Sequence, residues 1–108
     1  MVVQSKEERV MVKHIILWKL KDEYNTPEVK QNMKTGLEAL VGVVPGLLEM
    51  HIAIDPLPKS NADVLLYSVL ESEEALQNYA VHPAHVEAAN TLVRPFADTR
   101  MCMDFEVK

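Results

Sequence analysis

Apolar residues recur along the chain with two different periods, and the switches between them divide it into elements. Residues 12–21, VKHIILWKLK, are dense in strand formers. His14, Ile16, Trp18 and Leu20 share one side of this strand, and Ile15, Leu17 and Lys19 share the other. Both sides are largely apolar, which predicts a central strand covered on both faces. A polar turn over Asp22–Asn25 follows. Thr26 then stands as an N-cap before Pro27 at the first helical position, with Glu28 near the positive end of the helix dipole. Val29, Met33, Leu37 and Leu40 form one helical stripe, ending near Gly42. Gly36 weakens this helix by about 1 kcal/mol relative to Ala, which points to close packing there.

Residues 47–55, LLEMHIAID, alternate. Leu48, Met50, Ile52 and Ile54 are expected on the buried side, with Glu49, His51, Ala53 and Asp55 on the more polar one. A proline-containing loop leads to a third strand over 63–70, DVLLYSVL, again apolar on both faces. Ser72 is placed to cap a short helix with Glu73 and Glu74 in its first turn, running to about Ala80. Pro83 begins another helix, with Val86, Ala89 and Val93 on one side and Pro95 closing it. Residues 100–107, RMCMDFEV, alternate again as the fourth strand: Met101, Met103, Phe105 and Val107 against Arg100, Cys102, Asp104 and Glu106.

The order β-α-β-β-α(α)-β predicts an α+β ferredoxin-like plan, an antiparallel four-stranded sheet with helices on one face. That plan leaves the second sheet face bare, although the strands are apolar on both faces. Soluble monomers rarely expose such a surface. A two-fold homodimer, sheet against sheet, resolves the conflict; a closed barrel would also remove the sheet edges.

Composition narrows the function classes. At 108 residues the chain is one domain, with 11 Lys and Arg against 16 Asp and Glu and a net charge of -5. An acidic chain without a basic tract is not expected to bind nucleic acid, and no apolar stretch approaches the ~20 residues of a membrane span. The single cysteine, Cys102, cannot form an internal disulfide. The charged N-terminus lacks a signal-peptide pattern, so the expected location is cytoplasmic. Residues 1–10 are expected to be an N-terminal arm and residues 11–108 the domain.

Several runs carry a resemblance. Val12-Lys13-His14-Ile15-Ile16-Leu17, Pro45-Gly46 before the second strand, Tyr79-Ala80-Val81-His82-Pro83-Ala84-His85-Val86 between the helices and Asp104-Phe105 in the last strand look like the stress-responsive α/β-barrel (Dabb) family. The resemblance covers about residues 11–108 and implies a dimeric α+β barrel of ferredoxin-like units. Most members have no assigned reaction. Similar plant members include polyketide cyclases that perform an intramolecular aldol condensation without a cofactor, using a tyrosine and a histidine. By motif these fall on Tyr79 and His85, with His14 lining the pocket. The cyclases also carry a histidine early in the third strand, where this chain has Val64.

The residues, with what the resemblance implies, leave two function classes open. One is a cofactor-independent lyase, cyclase or monooxygenase-like enzyme acting on a small apolar carbonyl compound. There His85 is the base, because a neutral imidazole beside a phenol suits proton abstraction alpha to a carbonyl. Tyr79 is its partner, and His14, Trp18 and Tyr67 are candidate ligand-binding residues. The other is a non-catalytic, stress-associated structural or ligand-binding dimer, in which these side chains are core groups. No metal site is expected from local spacing: Pro83 separates His82 from His85, and no Cys or carboxylate completes the set. Cys102 is expected to be an inert thiol, and His82 a helix cap. Gly36, Gly42 and Gly46 form no phosphate loop.

Overall fold

A computed structural model describes residues 10–107. The expected arm over residues 1–10 therefore lies outside the described residues, apart from Val10. The elements run β1 (Val12–Leu20), α1 (Pro27–Glu38), β2 (Leu47–Ala53), β3 (Val64–Leu70), α2 (Glu73–Val81), α3 (Pro83–Ala88) and β4 (Ala97–Glu106). The sheet order is β2-β3-β1-β4, and every neighbouring pair is antiparallel. This is the ferredoxin-like α+β arrangement.

The caps form as the residues dictate. The Thr26 hydroxyl accepts from the Val29 N–H, the Ser72 hydroxyl from Ala75, and His82 Nδ1 from Ala84. His82 itself is extended, with φ −65° and ψ 133°, because Pro83 follows. That residue separates α2 from α3.

One sheet face carries the core. Ile16, Trp18 and Leu20 of β1 join Met50 and Ile52 of β2 and Leu66 of β3 beneath Met33 and Leu37 of α1 and Tyr79 of α2. Gly36 permits the close approach expected of it: a Cβ there would lie 2.1 Å from Leu92 Cδ1. Lys34 Nζ donates to the Ile52 carbonyl and Glu38 Oε2 accepts from the Ile52 N–H, so α1 closes the exposed edge of β2.

Three expectations shift. A register irregularity between Leu47 and Glu49 turns Leu47 inward and Leu48 out to solvent. The last helix narrows to α3 and continues as a single π-helical stretch, Ala89–Val93. That wider turn puts Ala88 and Val93 in the core, while Val86 is exposed. Finally, α1 ends at Glu38, and Leu40 reaches the core from the turn that follows.

Among the described residues, no helix lies over the second sheet face. Leu17 of β1 and Met101, Met103 and Phe105 of β4 are exposed there, and Ile15, Leu65 and Tyr67 are half-buried. The strands are thus apolar on both sides, but the described residues of one chain cover only one of them. No helix among the described residues is long and apolar enough to cross a membrane.

Candidate functional site

Between the covered sheet face and the helices lies a cavity of about 510 Å³. Ile16 and Trp18 of β1, Leu66 of β3 and Leu37 of α1 form its apolar walls. Tyr79, His85, Arg94 and Arg100 bring polar groups to it. An apolar cavity with a few convergent polar groups is the usual form of a small-molecule site.

The break at His82 folds α3 back against α2. It brings Tyr79 and His85 together with ring centroids 4.2 Å apart and planes inclined by 38°. His85 Nδ1 lies 3.2 Å from the Ala80 carbonyl oxygen. A carbonyl only accepts, so Nδ1 carries the proton, and Nε2 keeps a free lone pair. Burial lowers the His85 pKa from its ordinary value; the Ala80 bond opposes this, and the positive fields of His14, Arg94 and Arg100 add to the lowering. The ring is therefore a neutral base near pH 7.

Tyr79 is 2% exposed, and its hydroxyl has no hydrogen-bond partner among the described residues. Burial raises the phenol pKa well above its ordinary value, with the Arg100 charge working against it. Tyr79 is therefore a neutral phenol, able to donate one hydrogen bond and holding none. Buried polar groups rarely go unpaired. The acceptor nitrogen of one ring and the hydroxyl of the other can offer a base and an acid to a polar molecule that enters the cavity.

His14 stands behind this pair. Its ring meets Tyr79 edge-on at 6.0 Å, and Nδ1 bonds the Asp104 carboxylate across the β1–β4 ladder. His14 is not among the residues lining the cavity; it packs edge-on against Tyr79. Trp18 does form a wall. Tyr67 does not come to this cavity: it pairs with Ile15 on the uncovered sheet face, beside His51 and beneath the Lys13 ammonium.

Arg94, Asp98, Thr99 and Arg100 line the cavity without having been assigned to it from the sequence, and the bond from His14 to Asp104 was not foreseen either. The alternation of residues 100–107 had already put Arg100, Cys102 and Asp104 on one side. What was missing was the register, which sets them opposite Trp18, Ile16 and His14 on the helix-covered face. The Cys102 thiol is exposed. Burial and the neighbouring Asp104 carboxylate push its pKa up, more than the Arg100 charge pulls it down.

Known proteins resemble this chain to different degrees. A family model described as Stress Responsive A/B Barrel Domain matches residues 12–107. A stress-response A/B barrel domain-containing protein of Arabidopsis thaliana is 32% identical over 88% of this chain, which spans only 36% of that relative's length. Olivetolic acid cyclase of Cannabis sativa is 30% identical, with 87% of this chain and 94% of the relative covered. Among solved structures, a dimeric protein of unknown function with a ferredoxin-like fold from Bacteroides fragilis superposes with a TM-score of 0.82 at 30% identity. The match covers 90% of this chain and 96% of that one.

Proposed function

The chain belongs to the stress responsive A/B barrel domain family, and on that premise we propose that it binds a small, mostly apolar carbonyl compound and abstracts a proton alpha to the carbonyl without a cofactor. The observation that carries this is the packing of the Tyr79 ring, whose buried hydroxyl has no partner among the described residues, against the neutral His85 ring at the wall of an apolar cavity. In this reading Tyr79 donates its hydrogen to the carbonyl oxygen and His85 Nε2 takes the alpha proton. Arg100 lies close enough to favour the enolate that forms. His14 acts through Tyr79 by fixing the ring, and Asp104 acts through His14. Trp18 shapes the apolar end. The similarity to olivetolic acid cyclase supports the reaction class. Val64, fully buried in β3, argues against carrying its substrate across unchanged.

The functional unit is proposed to be a homodimer, located in the cytoplasm. Leu17, Met101, Met103 and Phe105 expose between 38% and 73% of their surfaces on the uncovered sheet face. Packing that face on a second copy removes this area from water. The Bacteroides neighbour is described as dimeric.

The test is a thermal-shift survey of small aryl and alkyl ketones against wild type and Tyr79→Phe. Stabilisation of wild type by a subset of ketones, lost in Tyr79→Phe, supports the reading. Equal shifts for both proteins would remove Tyr79 from it and favour a binding protein without this chemistry.

A further inference from the structure

We propose that His14, Cys102 and Asp104 form a binding site for one thiophilic divalent cation of the zinc class. The three side chains rise from neighbouring strands, on the same face of the sheet. His14 pairs with Asp104 across the ladder, and Ile16 pairs with Cys102, so the backbone fixes their spacing. Their donor atoms lie within 4.8 Å of one another. Cys102 Sγ is 3.8 Å from His14 Nδ1 and 3.5 Å from Asp104 Oδ1. A tetrahedral ion with bonds of ~2.3 Å to sulfur and ~2.1 Å to nitrogen or oxygen sets its sulfur–nitrogen and sulfur–oxygen ligands ~3.5 Å apart. Two of the three edges thus have the required length. The third, between His14 Nδ1 and Asp104 Oδ1, is a direct hydrogen bond and has to open. The Asp104 side chain is 40% exposed and can move to allow it.

Thiolate, imidazole and carboxylate together suit zinc better than magnesium or calcium, which take oxygen ligands. His14 binds as the tautomer with its proton on Nε2, leaving the Nδ1 lone pair to the ion, and the thiol proton leaves to solvent. The ion then occupies the space between the three donors, and water fills the fourth position. Local spacing along the chain could not reveal this set, because 88 residues separate His14 from Cys102. It is distinct from the Tyr79–His85 pair, linked to it through the His14 ring and through Arg100, which hydrogen-bonds Cys102 and whose charge reaches Tyr79 and His85.

Cobalt reports on the site directly. The reduced, chelator-treated full chain is titrated with Co²⁺ and followed by absorption, and the bound Co²⁺ is then displaced with Zn²⁺. One equivalent should produce a thiolate-to-cobalt charge-transfer band and tetrahedral visible bands, both lost on adding Zn²⁺. Cys102→Ser changes an exposed position on an edge strand, so the fold should survive, which circular dichroism checks. It should abolish the charge-transfer band. Asp104→Asn should weaken Zn²⁺ binding by more than the roughly 100-fold that losing a supporting hydrogen bond costs. His51→Gln, on the opposite face, should change neither. The absence of a stoichiometric band in wild type, or its survival in Cys102→Ser, would overturn the proposal. So would equal Zn²⁺ affinity in wild type and Asp104→Asn.

Discussion

Replacing Tyr79 by Phe deletes one oxygen atom and keeps the ring that packs between His14 and His85. In most proteins such a change in the core costs stability, because a hydrogen bond is lost. Here the hydroxyl is buried and has no partner among the described residues. Burying an unsatisfied hydroxyl carries a penalty of about 1–3 kcal/mol, and Phe is free of it. Tyr79→Phe is therefore expected to be more stable than wild type by about 1–3 kcal/mol. For a domain of this size each kcal/mol raises Tm by about 4–8 °C. The assay is urea unfolding at one fixed protein concentration, since the proposed dimer would make stability concentration-dependent. The midpoint should rise with an unchanged slope, which assigns the change to stability rather than to the denatured state. Loss of ketone binding in the same variant would show a site that trades stability for function. A Tyr79→Phe protein less stable than wild type would refute the reasoning, because the hydroxyl would then have a partner that contributes to the fold.

Other consequences can be checked separately. The His85 pKa is lowered from 6.5 on folding, so the unfolded chain binds more protons at mildly acidic pH. The stability this group contributes is then full above about pH 6.5 and declines as pH falls toward the folded-state pKa; His85→Gln should flatten that decline in unfolding curves. Gly46 has φ +84°, and a Cβ there would stand 2.7 Å from Ala75 Cβ, whereas Gly42 at φ +91° has nothing within 4 Å. Gly46→Ala should therefore cost more than about 2 kcal/mol, and Gly42→Ala only the ~1–2 kcal/mol of backbone strain, so equal losses in urea titrations would refute the clash. Met101→Glu with Met103→Glu puts two carboxylates on the uncovered sheet face. Sedimentation should give a mass near 12.2 kDa for this variant and twice that for wild type; a monomeric wild type at micromolar concentration would sink the dimer.

Much of the fold was legible because it follows from local patterns. Thr26-Pro27 and Ser72 mark helix starts by their own chemistry, and the alternation in residues 100–107 reads as a strand without reference to anything else. The misplaced faces arose where one residue changes the period. The irregularity at Leu47–Glu49 exchanged Leu47 for Leu48, and the π-helical turn exchanged Val86 for Ala88. Neither leaves a composition signal, since the residues on both sides are similar. Of the candidate site, Tyr79 and His85 were singled out through the motif around His82-Pro83. Their approach to 4.2 Å depends on the angle between two helices, which no spacing records. Tyr67 could not be assigned to a face in advance, because β3 is apolar on both sides and only its pairing with Ile15 decides which way the ring points. Arg100 and Asp104 needed the β1–β4 register for the same reason.

The claim that Tyr79 and His85 form an acid–base pair is tested most directly by alpha-proton exchange. A ketone that stabilises the protein is incubated in deuterium oxide near neutral pH, and loss of its alpha-proton signal is followed by NMR. Wild type should accelerate exchange over buffer, and His85→Ala should lose about 10²–10⁴-fold of that acceleration, the usual contribution of a positioned general base. Exchange by His85→Ala at the wild-type rate, on a ketone both proteins bind, would contradict the account.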